Sequence, residues 1–221
     1  LLYFSANDGV HGKELWNWNG STASIKEDII PGSEWSDPSE PLIFDNTLYF
    51  TALNSERRGR DLWMWDGSNA TRVTSIDVVN LDGSGRGPKL AGLDGNLYFV
   101  GEDQNSGQEL WSLENGQVKR LTDIASGSLS SLVTQLFTFK SKIYFSGTDG
   151  NSGLDIWEWD ATDVSRALEN QPGQANGSSP ISFKVVGEQL YYSATDSQSG
   201  GELWIWNGKD YPTVVDIHPG T

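Results

Sequence analysis

Five times in 221 residues the chain writes nearly the same phrase: "KELWNWNGS" (13–21), "RDLWMWDGS" (60–68), "QELWSLENG" (108–116), "LDIWEWDAT" (154–162) and "GELWIWNGK" (201–209). Leu15, Leu62, Leu110, Ile156 and Leu203 fall in register, at steps of 47, 48, 46 and 47. Two further series keep the same period: Tyr3, Tyr49, Tyr98, Tyr144 and Tyr191, and Asp28, Asp77, Asp123, Glu169 and Asp216. Three independent anchors at one period define an internal repeat, and a repeat restricts the chain to architectures assembled from equivalent units.

Each unit reads as strands. Its apolar runs are short, rich in aromatic and β-branched residues, and punctuated by Gly, Asn, Asp and Ser. The second unit shows the full set: "PLIF" (41–44), "LYFTA" (48–52), "DLWMW" (61–65) and "TRVTSID" (71–77). The Asp-Gly and Asn-Gly pairs after Trp predict tight hairpin turns with positive φ. Four antiparallel strands per ~47 residues, joined by hairpins within a unit and longer crossings between units, predict an all-β fold, a five-bladed β-propeller. A single domain is expected over 1–221, with units at approximately 1–38, 39–87, 88–130, 131–178 and 179–221. The first blade lacks its innermost strand: "LYF" opens it without a "PLIF"-type run, and the sequence ends at "DIHPGT" before another such run. A closing strand from a longer chain, a three-stranded blade and a longer array all satisfy this pattern.

Strand geometry explains the tryptophans. Trp16 and Trp18 point to one side and Leu15 and Asn17 to the other, so both faces of a unit carry large apolar groups that only neighbouring units can cover. Nine of the ten tryptophans occupy the two repeated positions. Burying ~200 Å² each at about 25 cal/mol/Å² gives roughly 5 kcal/mol apiece as an upper bound. Trp16, Trp63, Trp111, Trp157 and Trp204 are therefore expected in a repeated core. A row of sugar-stacking platforms is the alternative.

The phrases "ELWNWNGS", "DLWMWDGS" and "ELWIWNG", with "LYFSANDGVHGKELW" and "DIIPG", resemble the ELW-type repeat, ELWxWDGT, of bacterial secreted and surface proteins. The resemblance covers essentially the whole chain. It implies a propeller in an extracellular or cell-surface bacterial setting, without an activity. Leu113 stands in place of the second Trp of unit three, and "WDATD" (159–163) lacks the turn glycine in unit four.

A formal charge of -15 opposes binding to nucleic acid and anionic membranes. Cysteine is absent, which excludes disulfides and thiolate metal sites. No apolar run approaches the roughly 18 residues of a membrane-spanning helix, so membrane insertion is not expected. The N-terminus has neither an initiating Met nor a basic segment, as in a processed or trimmed chain.

Departures from the repeat mark candidate sites, because loops on a rigid scaffold commonly carry binding. Trp35 is the tryptophan out of register, and Arg57, Arg58 and Arg60 crowd one loop of an acidic protein. With His11 they form the candidate partner-binding set, of the composition found at interface hot spots. The alternative folds Trp35 over a blade edge and pairs the arginines with nearby acids. The recurring acids Glu14, Asp61, Glu109, Asp155 and Glu202 suit side-chain caps of loop N–H groups. Asp8, Asp149 and Asp196, in loops resembling Asp-box hairpins, are calcium candidates, although no EF-hand spacing is present. His11 and His218 lack the third ligand of a transition-metal site, and "DGSGRG" (82–87) precedes a strand rather than the helix of a phosphate cradle.

These readings favour a noncatalytic binding or scaffold propeller mediating protein–protein contacts, with a protein or surface polymer as partner and no cofactor beyond calcium. A lectin-like propeller with glycan sites is the alternative, although the signature motifs of the tachylectin type are absent. A sialidase-like glycosidase is third; the fourth unit supplies only Arg166 and the fifth no arginine for an acidic sugar.

Overall fold

A computed structural model describes residues 1–54, 59–78, 89–103, 105–168, 177–196 and 200–217. Among them the chain forms β-strands, turns and loops and no helix, so no helix is long and apolar enough to cross a membrane. The strands build five antiparallel sheets in which neighbours follow chain order. The first has three strands, β1 (Leu2–Asn7), β2 (Lys13–Trp18) and β3 (Ala23–Glu27). The second holds β4 (Ser39–Phe44), β5 (Thr47–Leu53), β6 (Arg60–Trp65) and β7 (Ala70–Thr74). The third holds β8 (Leu90–Leu93), β9 (Asn96–Gly101), β10 (Glu109–Glu114) and β11 (Gln117–Arg120). The fourth holds β12 (Thr134–Phe139), β13 (Lys142–Gly147), β14 (Asp155–Trp159) and β15 (Val164–Leu168). The fifth holds β16 (Ile181–Val186), β17 (Gln189–Asp196), β18 (Gly200–Trp206) and β19 (Thr213–Val215). The chain divides into two compact units, Leu1–Gly83 with the first two sheets and Ser84–Thr221 with the other three.

The repeat is visible in the register. Phe4 faces Trp16, Phe50 faces Trp63, Phe99 faces Trp111, Phe145 faces Trp157 and Tyr192 faces Trp204 across the two middle strands. In three units the Trp indole N–H donates to a main-chain carbonyl at 3.0 Å, Trp111 to Gly101, Trp157 to Gly147 and Trp204 to Ala194. Three of the outer pairs slip register between the aliphatic residue and the following Trp, a bulge in the pairing of the outermost strand. Leu15, Leu48, Phe50, Ala52 and Trp65 form the core of the first unit, with Tyr3 and Trp63 packed against it. In the second unit, one cluster centres on Tyr98, Phe145 and Trp159 and another on Phe139, Tyr144, Tyr192, Trp204 and Trp206.

The expected Trp core is graded rather than uniform. Trp111 and Trp204 are buried, Trp16, Trp63 and Trp157 are half-buried, and Trp18 is exposed. The two hairpin types also differ. Asp45–Asn46 and Lys140–Ser141 carry positive φ at both residues, as a two-residue turn requires. After the tryptophans, Asp66 keeps an ordinary φ and its carboxylate accepts the N–H groups of Ser68 and Asn69, leaving Gly67 alone at φ 101. Asn19, Asp160 and Asn207 repeat this cap. The chain thus substitutes an Asp or Asn side chain for part of the backbone turn.

Candidate functional site

The strand-opening acids are buried and hold the loops. Glu14 accepts the N–H of Ile29 at 3.0 Å, the N–H of Ser36 at 2.8 Å and the Ser36 hydroxyl. Glu109 accepts the Ile124 N–H and the hydroxyls of Thr122 and Ser131. Glu202 accepts the Ile217 N–H at 2.8 Å. Aspartate, one methylene shorter, also takes an arginine from the fourth strand: Arg72 Nε lies 2.8 Å from Asp61, and Arg166 Nη1 lies 3.7 Å from Asp155, which also accepts the Ser178 hydroxyl at 3.5 Å. Burial pushes the Glu14 carboxyl above its ordinary range, opposed by the bonds from Ser36 and Ile29. These carboxylates are engaged structurally.

Within the first unit they bring two loops together. A Cβ on Gly12 would collide with the Glu34 carbonyl, so the loop after β1 lies directly on the crossing after β3. The Asp37 N–H donates to Lys13 O at 2.9 Å, and Lys13 Nζ lies 2.5 Å from the Asp37 carboxylate. Asp8 caps its own loop, accepting the N–H groups of Val10 and His11 at 2.9 Å, and its Oδ2 lies 2.7 Å from His11 Nδ1. The backbone bond from His11, followed by that from its ring, holds Asp8 well below the usual carboxylate range. The bond to Asp8 raises the His11 pKa above its ordinary value and leaves Nε2 as the ring's other polar atom. Trp35 sits one residue beyond the contact and is 50% exposed. An acid-braced imidazole on one loop and an exposed indole on the loop against it are chemically suited to bonding a polar group and stacking on a flat or apolar one.

The structure redistributes the candidate residues. His11 and Trp35 come into neighbouring loops. Arg60 does not join an exposed patch: it is buried, pairs with Asp37 at 3.2 Å and donates to Thr51 and Ser39. Burial lowers its pKa, against the attraction of Asp37. Arg57, Arg58, His218 and the 82–87 stretch lie outside the described residues. The Asp8 and Asp149 carboxylates are engaged by loop donors, Asp149 by Asn151, Ser152 and Arg166. Asp196 ends β17 opposite Gly200. Among the described residues no group of three or more His, Asp or Glu could hold a metal ion. Sequence reasoning missed the glycines that permit close contacts, Gly12, Gly59 and Gly107, although each stands three residues before the register leucine. Gly107 is the counterpart of Gly12, and a Cβ there would strike Leu129 and Ser130.

No family model matches the chain, and no curated protein matches it. Among solved structures, a puromycin hydrolase mutant complexed with PGG is similar at a TM-score of 0.61 and 10% identity, over 93% of this chain and 33% of that one. A Mycobacterium tuberculosis puromycin-hydrolyzing peptidase is similar at a TM-score of 0.59 and 11% identity, over 98% and 36%. The β-propeller domain of the Trilobed protease from Pyrococcus furiosus gives a TM-score of 0.48 at 15% identity, over 98% and 81%. The chain thus spans about a third of the length of the puromycin hydrolases it matches. The likeness is one of fold. It corrects the expectation of a noncatalytic scaffold, and of no enzymatic role, because the similar structures include puromycin-hydrolysing enzymes. The repeated phrase misled because its residues serve packing, which is silent about activity.

Proposed function

We propose that the chain is a propeller-type domain of a hydrolase acting on peptide or aminoacyl-amide bonds, with the loops around Asp8, His11 and Trp35 as a substrate-facing surface. The observation that carries this reading is the fold likeness to puromycin hydrolases over more than nine-tenths of the chain. On this reading the five sheets are the blades of a five-bladed β-propeller, and the first blade has three strands. The ELW-type phrases support a bacterial secreted or cell-surface setting. The braced imidazole supports recognition of a carbonyl or carboxylate, and the indole that of an apolar side chain.

The test is turnover of puromycin, aminoacyl naphthylamides and short peptides by the purified natural polypeptide. Hydrolysis is expected, with His11→Ala and Trp35→Ala each raising KM about tenfold while kcat stays within about twofold, the pattern of lost ground-state binding. Absence of turnover across the panel overturns the hydrolase reading. Turnover with an unchanged KM in both variants removes the loop surface from it.

A further inference from the structure

Four of the five outer hairpins close on a side-chain cap, and the third sheet's does not. Asn19, Asp66, Asp160 and Asn207 each follow the second repeated Trp directly and cap the turn, whereas the same place after Leu113 holds Glu114. Asn19 Oδ1 accepts the N–H groups of Ser21 and Thr22 at 2.8 and 2.9 Å, and its Nδ2 donates to the Thr22 hydroxyl at 3.2 Å. Asn207 Oδ1 accepts those of Lys209 and Asp210 at 2.9 Å, and its Nδ2 donates to the Asp210 carboxylate at 2.8 Å.

Glutamate, one methylene longer, does not make this cap. The Glu114 carboxylate accepts the Ser112 hydroxyl at 2.8 Å, its backbone pairs with Gln117, and the turn shrinks to Asn115 and Gly116, at φ 50 and 76. Asn-Gly suits such a two-residue turn because both positions need positive φ. Asn115 thus stands at the tip, where the other hairpins have Gly20, Gly67, Ala161 and Gly208. It is exposed, and its side chain makes no hydrogen bond among the described residues. The backbone beside it is open: a Cβ on Gly116 would meet nothing within 4 Å, whereas one on Gly208 would meet Phe139 Cε1 at 2.9 Å and Lys140 Cδ at 3.1 Å.

We propose that Asn115-Gly116 is a self-modification site, at which the chain loses a side-chain amide as ammonia. The Gly116 nitrogen attacks Asn115 Cγ and gives up its proton. The Cγ–Nδ2 bond breaks, ammonia carries that proton away, and a succinimide ring remains. Water then opens the ring at either carbonyl, leaving aspartate or isoaspartate, and nothing is oxidised or reduced. The step requires the carboxamide carbon to turn onto the following nitrogen. Asn115 does so without breaking any bond of its side chain, whereas Asn19 and Asn207 must each release three. The Asn-Gly pair is common to all three sites, and the fold selects among them. Asn176, of the fourth such pair, lies outside the described residues. The isoaspartyl product routes the main chain through an added methylene in a turn of two residues, which loosens the Glu114–Gln117 pair beneath it and with it β11. This reaction is independent of the hydrolase reading.

The test holds the purified protein in mildly alkaline buffer, with and without denaturing urea, and follows each site by peptide mapping with mass spectrometry. Isoaspartate is read by methyl transfer from S-adenosylmethionine with an isoaspartyl methyltransferase. In the folded protein Asn115 is expected to convert at least about tenfold faster than Asn19 and Asn207, because three hydrogen bonds oppose the reaction at each of those. In urea the three rates should converge to within about threefold, since the folded contacts are lost. Aged native protein should show faster hydrogen exchange in β11. Asn115→Gly, which suits the positive φ, should show neither that change nor isoaspartate in this peptide. The proposal fails if Asn115 stays intact in the folded protein, or if Asn19 or Asn207 converts as fast. It also fails if Asn115 keeps its lead in urea, since local sequence rather than the fold then sets the order.

Discussion

Glu109 illustrates how one side chain in this protein governs a long stretch of backbone. Fully buried at the start of β10, it receives bonds from Thr122, Ile124 and Ser131. Replacing it with Ala leaves those donors without a charged acceptor, at a cost of about 3 kcal/mol or more. Urea denaturation of Glu109→Ala should show the loss, and Glu109→Gln, which keeps an acceptor, a smaller one. Ala161 is the opposite case: it holds φ 77 where Gly20, Gly67 and Gly208 stand in other units. A left-handed Ala costs roughly 1–2 kcal/mol, partly offset by the greater backbone freedom of glycine in the unfolded chain. Ala161→Gly is thus expected to stabilise by about 1 kcal/mol, a rise of about 2–4 °C in Tm by calorimetry. The missing turn glycine is legible in "WDATD", but its φ required the structure. The repeated acids are likewise legible as caps, whereas the arginine partners of Asp61 and Asp155 required the structure.

Hairpin caps act at the scale of the element. Asp149 closes the loop between β13 and β14, and the backbone bond from Ser152, with its other donors, lowers its pKa to about 2. Asp160 closes the next hairpin and is lowered to about 2, first by the Thr162 hydroxyl. Folded values below the ordinary ~4 mean that each contributes stability fully above that pH and loses it as pH falls toward 2. Tm should therefore fall between about pH 4 and 2, and Asp149→Asn should flatten that slope. An unchanged slope in the variant would show that the cap does not carry the effect. Buried Glu14 has the opposite sign: its raised pKa weakens the fold as pH rises through the carboxylate range. The strands themselves are readable from alternation and β-branched runs, because strand formation and turn chemistry are local. Gly12 and Gly107 were overlooked because a glycine that permits close approach leaves no periodic apolar mark of its own.

For the whole molecule, the charge of -15 makes self-repulsion a general destabilising term. Raising NaCl from about 0.01 to 0.15 M shortens the Debye length from roughly 30 to 8 Å. Tm should rise over that range and then level off. A fall would indicate that local pairs such as Lys142–Glu158, at 2.6 Å, outweigh the net repulsion. The same repeated packing serves proteins of differing activity, since it uses core positions and leaves the loops free to vary.

By itself, the sequence determined the period, the strands within each unit and the places of the hairpin turns. All of these follow from side-chain alternation and turn chemistry acting over a few neighbouring residues. Only the tertiary structure decided that Arg60 is a buried tie to Asp37 rather than a contact residue, and that His11 is braced by Asp8 in a loop lying against the one that carries Trp35. Those outcomes depend on which distant backbone groups and side chains come within hydrogen-bonding or van der Waals reach, and sequence spacing alone does not specify such distances.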